Sequence, residues 1–231
     1  MNFYTLGLEN VLTITCSILG VAIVLYAQLK INYNYSKYKQ KENSKKISGS
    51  EVARNILDAN GLDNVYVVEI GGNLTDHYDP TRKVVKLSKE IFHGESIASV
   101  AVAAHECGHA IQDKNGYLFM RIRSMLVPVV NLVSYLGYFA IAIGILAGTT
   151  GYLLIGILTL LATIIFQLIT LPVEFDASNR ANEELLRLQL IQDDDDVSSM
   201  LSAAAFTYVA SLISSLLNLV RLIILFSKRD D

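Results

Sequence analysis

The residues with the plainest chemistry are His105-Glu106-Cys107-Gly108-His109. They follow Ser96-Ile97-Ala98-Ser99-Val100-Ala101-Val102-Ala103-Ala104, a small and apolar run that continues unbroken to Gln112, ahead of Gly116. That run predicts one helix buried on most sides. Positions four apart stack on one helical face, so His105 and His109 can offer imidazole nitrogens to a single ion. Glu106 is turned about 100° from His105, outside the ligand pair but within reach of a metal-activated water, for which it is the expected general base. Cys107, turned about 200°, reads as a small core residue rather than a ligand. Gly108 costs about 1 kcal/mol of helix stability against Ala, which marks a position where another backbone or a substrate comes close. The pattern is one for metal-assisted hydrolysis with a single zinc ion, because structural zinc sites are usually closed by Cys and His with no acid beside them.

Two histidines leave a catalytic zinc one protein ligand short. Glu174 is the candidate third ligand, in Leu171-Pro172-Val173-Glu174-Phe175-Asp176-Ala177-Ser178, directly after a long apolar segment. The membrane organisation makes that choice physical. The chain of 231 residues is 52% hydrophobic and only 18% charged, with mean hydropathy +0.39, and a bilayer is crossed by about 20 helical residues. Residues 11–29 carry no charge and read as a permanent anchor rather than a removable leader. Residues 124–173 contain no acidic, basic or His residue and break at Gly148-Thr149-Thr150-Gly151, which predicts a transmembrane hairpin. Residues 200–220 form a fourth uncharged run with Thr207, Ser211, Ser214, Ser215 and Asn218 on one side, followed there by Arg221. That stripe either packs helices closely or lines a wet cavity, and the segment either spans or lies re-entrant or interfacial.

Lys30, Lys37, Lys39, Lys41, Lys45 and Lys46 follow the first segment and Arg121 and Arg123 precede the second, whereas no Lys or Arg precedes residue 11. Basic residues stay on the cytoplasmic side, so the middle region, and with it the catalytic site of a multi-pass cell-membrane protein, is expected to face the cytoplasm. The hairpin then returns Glu174 to the boundary where the His105 helix sits. The expected organisation is an anchor (1–30), a cytoplasmic catalytic region (31–124), the hairpin (125–173), a cytoplasmic helix with the third ligand (174–199) and a C-terminal membrane or re-entrant helix (200–231).

Between the anchors, Ser50 and Glu51 open a helix ended by Gly61, residues 65–70 and 84–87 read as strands, and Asp76-His77-Tyr78-Asp79-Pro80 reads as a polar turn. Residues 84–88 are the candidate edge strand for an extended peptide, with a simple cover over the catalytic helix as the alternative. His77 and His93 read as solvated histidines. The acidic run 193–196 reads as favouring the start of the last helix, and the Lys37 to Lys46 cluster as a topology signal that can also touch anionic lipid.

Ala104 to Ala110 with the His-Glu-x-x-His core, the Asp76 to Pro80 segment, Leu171 to Ala181, and Ala203-Ala204-Ala205-Phe206-Thr207-Tyr208-Val209-Ala210 together resemble the YugP-like neutral zinc metallopeptidases. The resemblance runs from about Ser48 to the last helix. It implies a membrane zinc metalloendopeptidase, mainly α, in which polytopic helices carry a small cytoplasmic α+β zincin-like unit of the gluzincin type. A more distant similarity to HtpX and the prenyl-protein endopeptidases implies Glu174 as the carboxylate ligand from a second helix. Those proteins commonly place an Asp four residues after that Glu, where this chain has Ser178, and Asp176 is turned about 200° from Glu174 on a helix. Partners for the second nitrogens of the histidines are therefore open among Ser178, Asp76, Asp79 and a backbone carbonyl. His77, Tyr208 and Arg221 are polar candidates for stabilising an oxyanion.

A net charge of −3 and a pI near 5.8 leave no basic surface for nucleic acid, and Cys16 and Cys107 form no disulfide framework. The expected partners are a protein or peptide substrate, membrane-associated or soluble, and the bilayer itself. The competing class is a transporter or scaffold that binds zinc for sensing or structure, which has no need of Glu106 beside the first histidine.

Overall fold

A computed structural model describes residues 3–146, 151–192 and 194–227. Ten elements follow in order: α1 (Phe3–Lys39), α2 (Gly49–Ala59), β1 (Tyr66–Ile70), β2 (His77–Asp79), β3 (Val84–Ser88), α3 (Lys89–His93), α4 (Ile97–Lys114), α5 (Leu118–Leu146), α6 (Tyr152–Arg187) and α7 (Asp194–Ser227). Helices α1, α5, α6 and α7 each carry a stretch long and apolar enough to cross a membrane. The expected turn at Gly148-Thr149-Thr150 and the start of the acidic run at Asp193 lie outside the described residues, while α7 begins within that run at Asp194. The chain divides into two compact units, one of Met1–Gln28, Ile122–Thr170 and Thr207–Asp231, the other of Leu29–Arg121 and Leu171–Phe206.

In the first unit, small residues set the helix contacts, as in membranes, where apolar faces gain little by leaving lipid and close packing must do the work. A side chain on Gly137 of α5 would run into Thr159 of α6, and a Cβ on Gly20 of α1 would lie 3.2 Å from Ser214 Oγ of α7. Ser211 Oγ donates back to the Thr207 carbonyl at 2.8 Å, keeping that polar atom satisfied within α7.

The second unit is built on a continuous core of Val52, Ile56 and Leu57 from α2, Val85 and Leu87 from β3, Val100, Ala101 and Ala104 from α4, and Ala181 and Leu185 from α6. The cap of α2 is Ser48, two residues before the expected Ser50: its side chain and that of Glu51 close a reciprocal capping box. Asn43, buried, donates to the carbonyls of Ile47 and Glu95 and accepts from the Lys45 and Ile47 N–H groups, fastening the chain after α1 to the start of α4.

The sheet order is β1-β3-β2, which overturns residues 84–88 as an edge strand. β3 is the central strand, parallel to β1 and antiparallel to β2. Its Val84, Val85, Leu87 and Ser88 are all buried, as a strand covered on both faces requires. The segment read as a polar turn contains one of the two edge strands, β2, the other being β1, with Tyr78 turned inward and Asp79 paired through Lys86 on the other face.

Helices α4 and α6 cross where Gly108 meets Ala177. The Ala177 carbonyl oxygen occupies the space that a Cβ on residue 108 would need. Gly108→Val gains only about 0.4 kcal/mol of helix propensity, against about 1–3 kcal/mol for overpacking a contact without slack. A clear fall in the melting temperature of the detergent-solubilised protein is expected, and an unchanged midpoint would show that the crossing tolerates a side chain.

Candidate metal centre

Helix α4 carries His105 and His109 one turn apart, with ring centroids 4.8 Å apart and planes at 84°. Helix α6 enters the crossing carrying Glu174. Glu174 Oε2 lies 3.3 Å from His105 Nε2 and 3.7 Å from His109 Nε2, so three ligand-type side chains converge. Glu174 and His109 are buried, whereas the His105 side chain keeps 16% of its surface exposed. The cluster thus opens on the His105 side.

Each histidine is oriented through its other nitrogen. His105 Nδ1 lies 3.2 Å from Ser178 Oγ, one of the partners the sequence left open. His109 Nδ1 lies 3.0 Å from Gln112 Oε1. Gln112 Nε2 donates to the Val173 carbonyl and to Asp176 Oδ2, both at 2.8 Å, which fixes the amide with its oxygen towards His109. His109 must then donate from Nδ1, which leaves the Nε2 lone pair facing Glu174. Asp176 is held in turn by Arg180 at 2.5 Å.

Neither Gln112 nor Asp176 was expected in this role. Gln112 was legible, since it lies three residues beyond His109 on the same helical face. Asp176 does point away from Glu174, but towards Gln112, so its carboxylate reaches His109 through the amide. The other proposed partners are engaged elsewhere: Asp76 accepts from Ser88 N at 2.6 Å and from its hydroxyl, while Asp79 accepts from the Thr81 and Arg82 N–H groups and from Lys86.

Glu106 is buried beside the first histidine, and its Oε2 accepts the Tyr78 N–H of β2 at 2.8 Å. Burial pushes its carboxyl up to about 7, with His105 and the Tyr78 N–H pulling down and the negative charges of Glu174 and Asp76 pushing up. Tyr78 is fastened a second time by its hydroxyl, which donates to Asp113 Oδ2 at 2.7 Å, two turns further along α4. Strand β2 is thereby clamped to the helix that carries the histidines. Cys107 faces away as expected: its thiol contacts the Ala53 carbonyl at 3.6 Å, and burial raises its pKa.

Two imidazoles and one carboxylate are the donors that hold a catalytic zinc while leaving room for water and substrate. The anchored Nδ1 atoms and converging Nε2 atoms fit that ion. The remaining histidines do not join them. His77 Nδ1 faces the Thr75 carbonyl at 2.8 Å, and His93 Nε2 pairs with Glu69 at 2.7 Å, both exposed. Tyr208 and Arg221 belong to the other unit.

Residues 13–227 match the family described as "Putative neutral zinc metallopeptidase". The chain belongs to this family. It is 42% identical over 222 residues to the Bacillus subtilis (strain 168) protein described as "Putative membrane protease YugP", covering 95% of this chain and 99% of that one. No solved structure matches. Membership in a zinc metallopeptidase family, together with four membrane-crossing candidates, makes the chain a multi-pass membrane member of that family.

Partners of metal-binding histidines typically change metal affinity about 10–100-fold when removed. Gln112→Leu and Ser178→Ala are each expected to weaken zinc retention by that order in competition with a chromophoric chelator. Wild-type affinity in both variants would show that the histidines need no such support.

Proposed function

We propose that the protein is a zinc metalloendopeptidase in which His105, His109 and Glu174 hold one zinc ion and Glu106 is the general base. The observation that carries this reading is the convergence of both Nε2 atoms on Glu174 Oε2, beside a buried carboxylate that is not part of the cluster. A zinc ion held there supplies Lewis acidity, lowering the pKa of a water from 15.7 to about 7 and polarising the scissile carbonyl. Glu106 accepts the proton of the attacking water and passes it to the departing amine. The Tyr78 N–H keeps Glu106 aimed, while Ser178 and Gln112 keep the histidine rings from rotating away.

The substrate lies extended along the free side of β2. In an antiparallel strand the N–H and C=O of one residue point to the same side. The Tyr78 N–H is spent on Glu106, so the Tyr78 carbonyl on that edge is the acceptor for a peptide N–H. Main-chain recognition of this kind takes any extended segment, which suits a peptidase acting on membrane proteins and their flanking tails. The concentration of Lys between residues 30 and 46 supports a catalytic unit on the cytoplasmic face. A cysteine introduced at Lys45 should react with a membrane-impermeant maleimide only after the cells are opened, and labelling of intact cells would reverse that orientation.

A Glu106→Gln variant keeps the shape and the Tyr78 contact but cannot take a proton. Loss of a general base costs about 10²–10⁴-fold. Peptide hydrolysis is expected to fall by that order while zinc content stays at wild-type level, and full activity in the zinc-loaded variant would remove Glu106 from the mechanism. Glu174→Ala is expected to lose zinc itself, and unchanged affinity would move the third ligand elsewhere.

A further inference from the structure

The unit formed by the apolar helices contains a cavity of about 570 Å³ between α5, α6 and α7, within the size range of small-molecule sites, about 300–1,000 Å³. Most of its wall is apolar, including Ile141, Leu153, Leu160 and Leu222. One side is different. Ser215, Asn218 and Arg221 of α7 face it together with Thr159 and Thr163 of α6. The polar stripe of α7 therefore divides: Ser214 packs against Gly20, while the next positions line this space.

Arg221 is the unusual member. Its Nε is buried and has no hydrogen-bond partner, and among the described residues it forms no ion pair. Among the described residues no acidic side chain lines the cavity, and Glu9, the acid at the N-terminal end of α1, is not part of the wall. A guanidinium cannot lose its proton, and a buried N–H of a charged group left unmatched is expensive, more so in a membrane, where water does not replace the missing acceptor. An anion in the cavity supplies what the protein does not.

The position along α7 indicates which anion. Leu222, next to Arg221, lies 3.7 Å from where a Cβ on Gly156 would sit, four residues beyond the start of α6. Tyr152, the first residue of α6, lines the same cavity. The site is thus near the Tyr152 end of α6, and in a bilayer whose hydrocarbon boundary, about 15 Å from the centre, falls at that end, Arg221 meets lipid headgroups rather than acyl chains alone. We propose that the cavity takes the phosphodiester and one acyl chain of a single phospholipid of net negative charge, the phosphodiester on Arg221 and Asn218 and that chain along Ile141, Leu160 and Leu222, with the second chain left in the bilayer. A planar fork of donors suits phosphate oxygens, and among the described residues the wall offers no carboxylate for the cation of a zwitterionic headgroup.

Native mass spectrometry of the full chain tests this, with phosphatidylglycerol, phosphatidylcholine and diacylglycerol of matched chains offered in equal amounts. One phosphatidylglycerol should be retained at least about tenfold over the other two, the scale of a charge-assisted hydrogen-bonded pair. Arg221→Gln should abolish the preference, and Arg221→Lys, which keeps the charge without the fork, should keep part of it. Excess inorganic phosphate should leave the bound lipid in place. Equal retention of the three lipids by the wild type, wild-type preference in folded Arg221→Gln, or displacement by inorganic phosphate would each overturn the proposal. The wild-type comparison decides the matter even if the variants do not fold.

Discussion

Gly108 presents no side chain to α6, and the Ala177 carbonyl fills the space so released. Because helix residues advance by about 1.5 Å each, a contact at that one position sets how every neighbouring residue on the two helices meets. His105 and His109 lie three positions before and one after Gly108, while Val173, Glu174, Asp176 and Ser178 flank Ala177. The reach of a ligand carboxylate is short, and a shift of one side chain's thickness would part Glu174 from the two imidazoles. A helix-destabilising glycine inside the most buried helix of the unit is explained by this contact.

The same closeness creates a polar problem. Glu106, His109, Gln112, Glu174 and Ser178 are all buried, and buried polar groups are costly unless matched. Two of the matches end on surface charge or backbone, His109 to Gln112 to Asp176 to Arg180 and Glu106 to the backbone of β2, and the third joins His105 to the Ser178 hydroxyl. Each link also fixes a rotamer. The network that makes the polar cluster tolerable in a core is therefore the one that keeps two nitrogens and one oxygen pointed at the same place. A neutral hydroxyl at Ser178 suffices for orientation, and a carboxylate is present for His109 only at one remove.

What could be read from sequence follows from periodicity. His105, Glu106, Cys107 and His109 are placed by helical angle alone, and Gly108 by the penalty it carries in a helix. Glu174 follows from the length of the apolar hairpin before it, and the four apolar helices from their lack of charge. Residues 65–70 and 84–87 read as strands and form β1 and β3; β2 resisted for a different reason. A three-residue strand such as β2 has too few positions to show alternation, and Asp76-His77-Tyr78-Asp79-Pro80 has the composition of a turn. Its identity as an edge depends on which side of β3 it pairs with, a property of topology rather than of local pattern. The decisive group there is the main-chain N–H of Tyr78, which no side-chain pattern announces.

Helix α6 shows how one element can answer to two solvents. From Tyr152 to about Thr170 its outer surface is apolar, with Leu154, Leu158 and Ile165 exposed, and glycine-scale contacts such as Gly137 with Thr159 do the packing. Beyond Pro172 the same helix carries Glu174, Asp176, Ser178 and Arg180, residues that would be prohibitive in hydrocarbon and are here engaged with α4 or with each other. Pro172 interrupts neither half, so the segment that carries Glu174 continues the same helix as the apolar one, and its polar groups are held by α4 and by one another rather than by the surroundings that suit the first half.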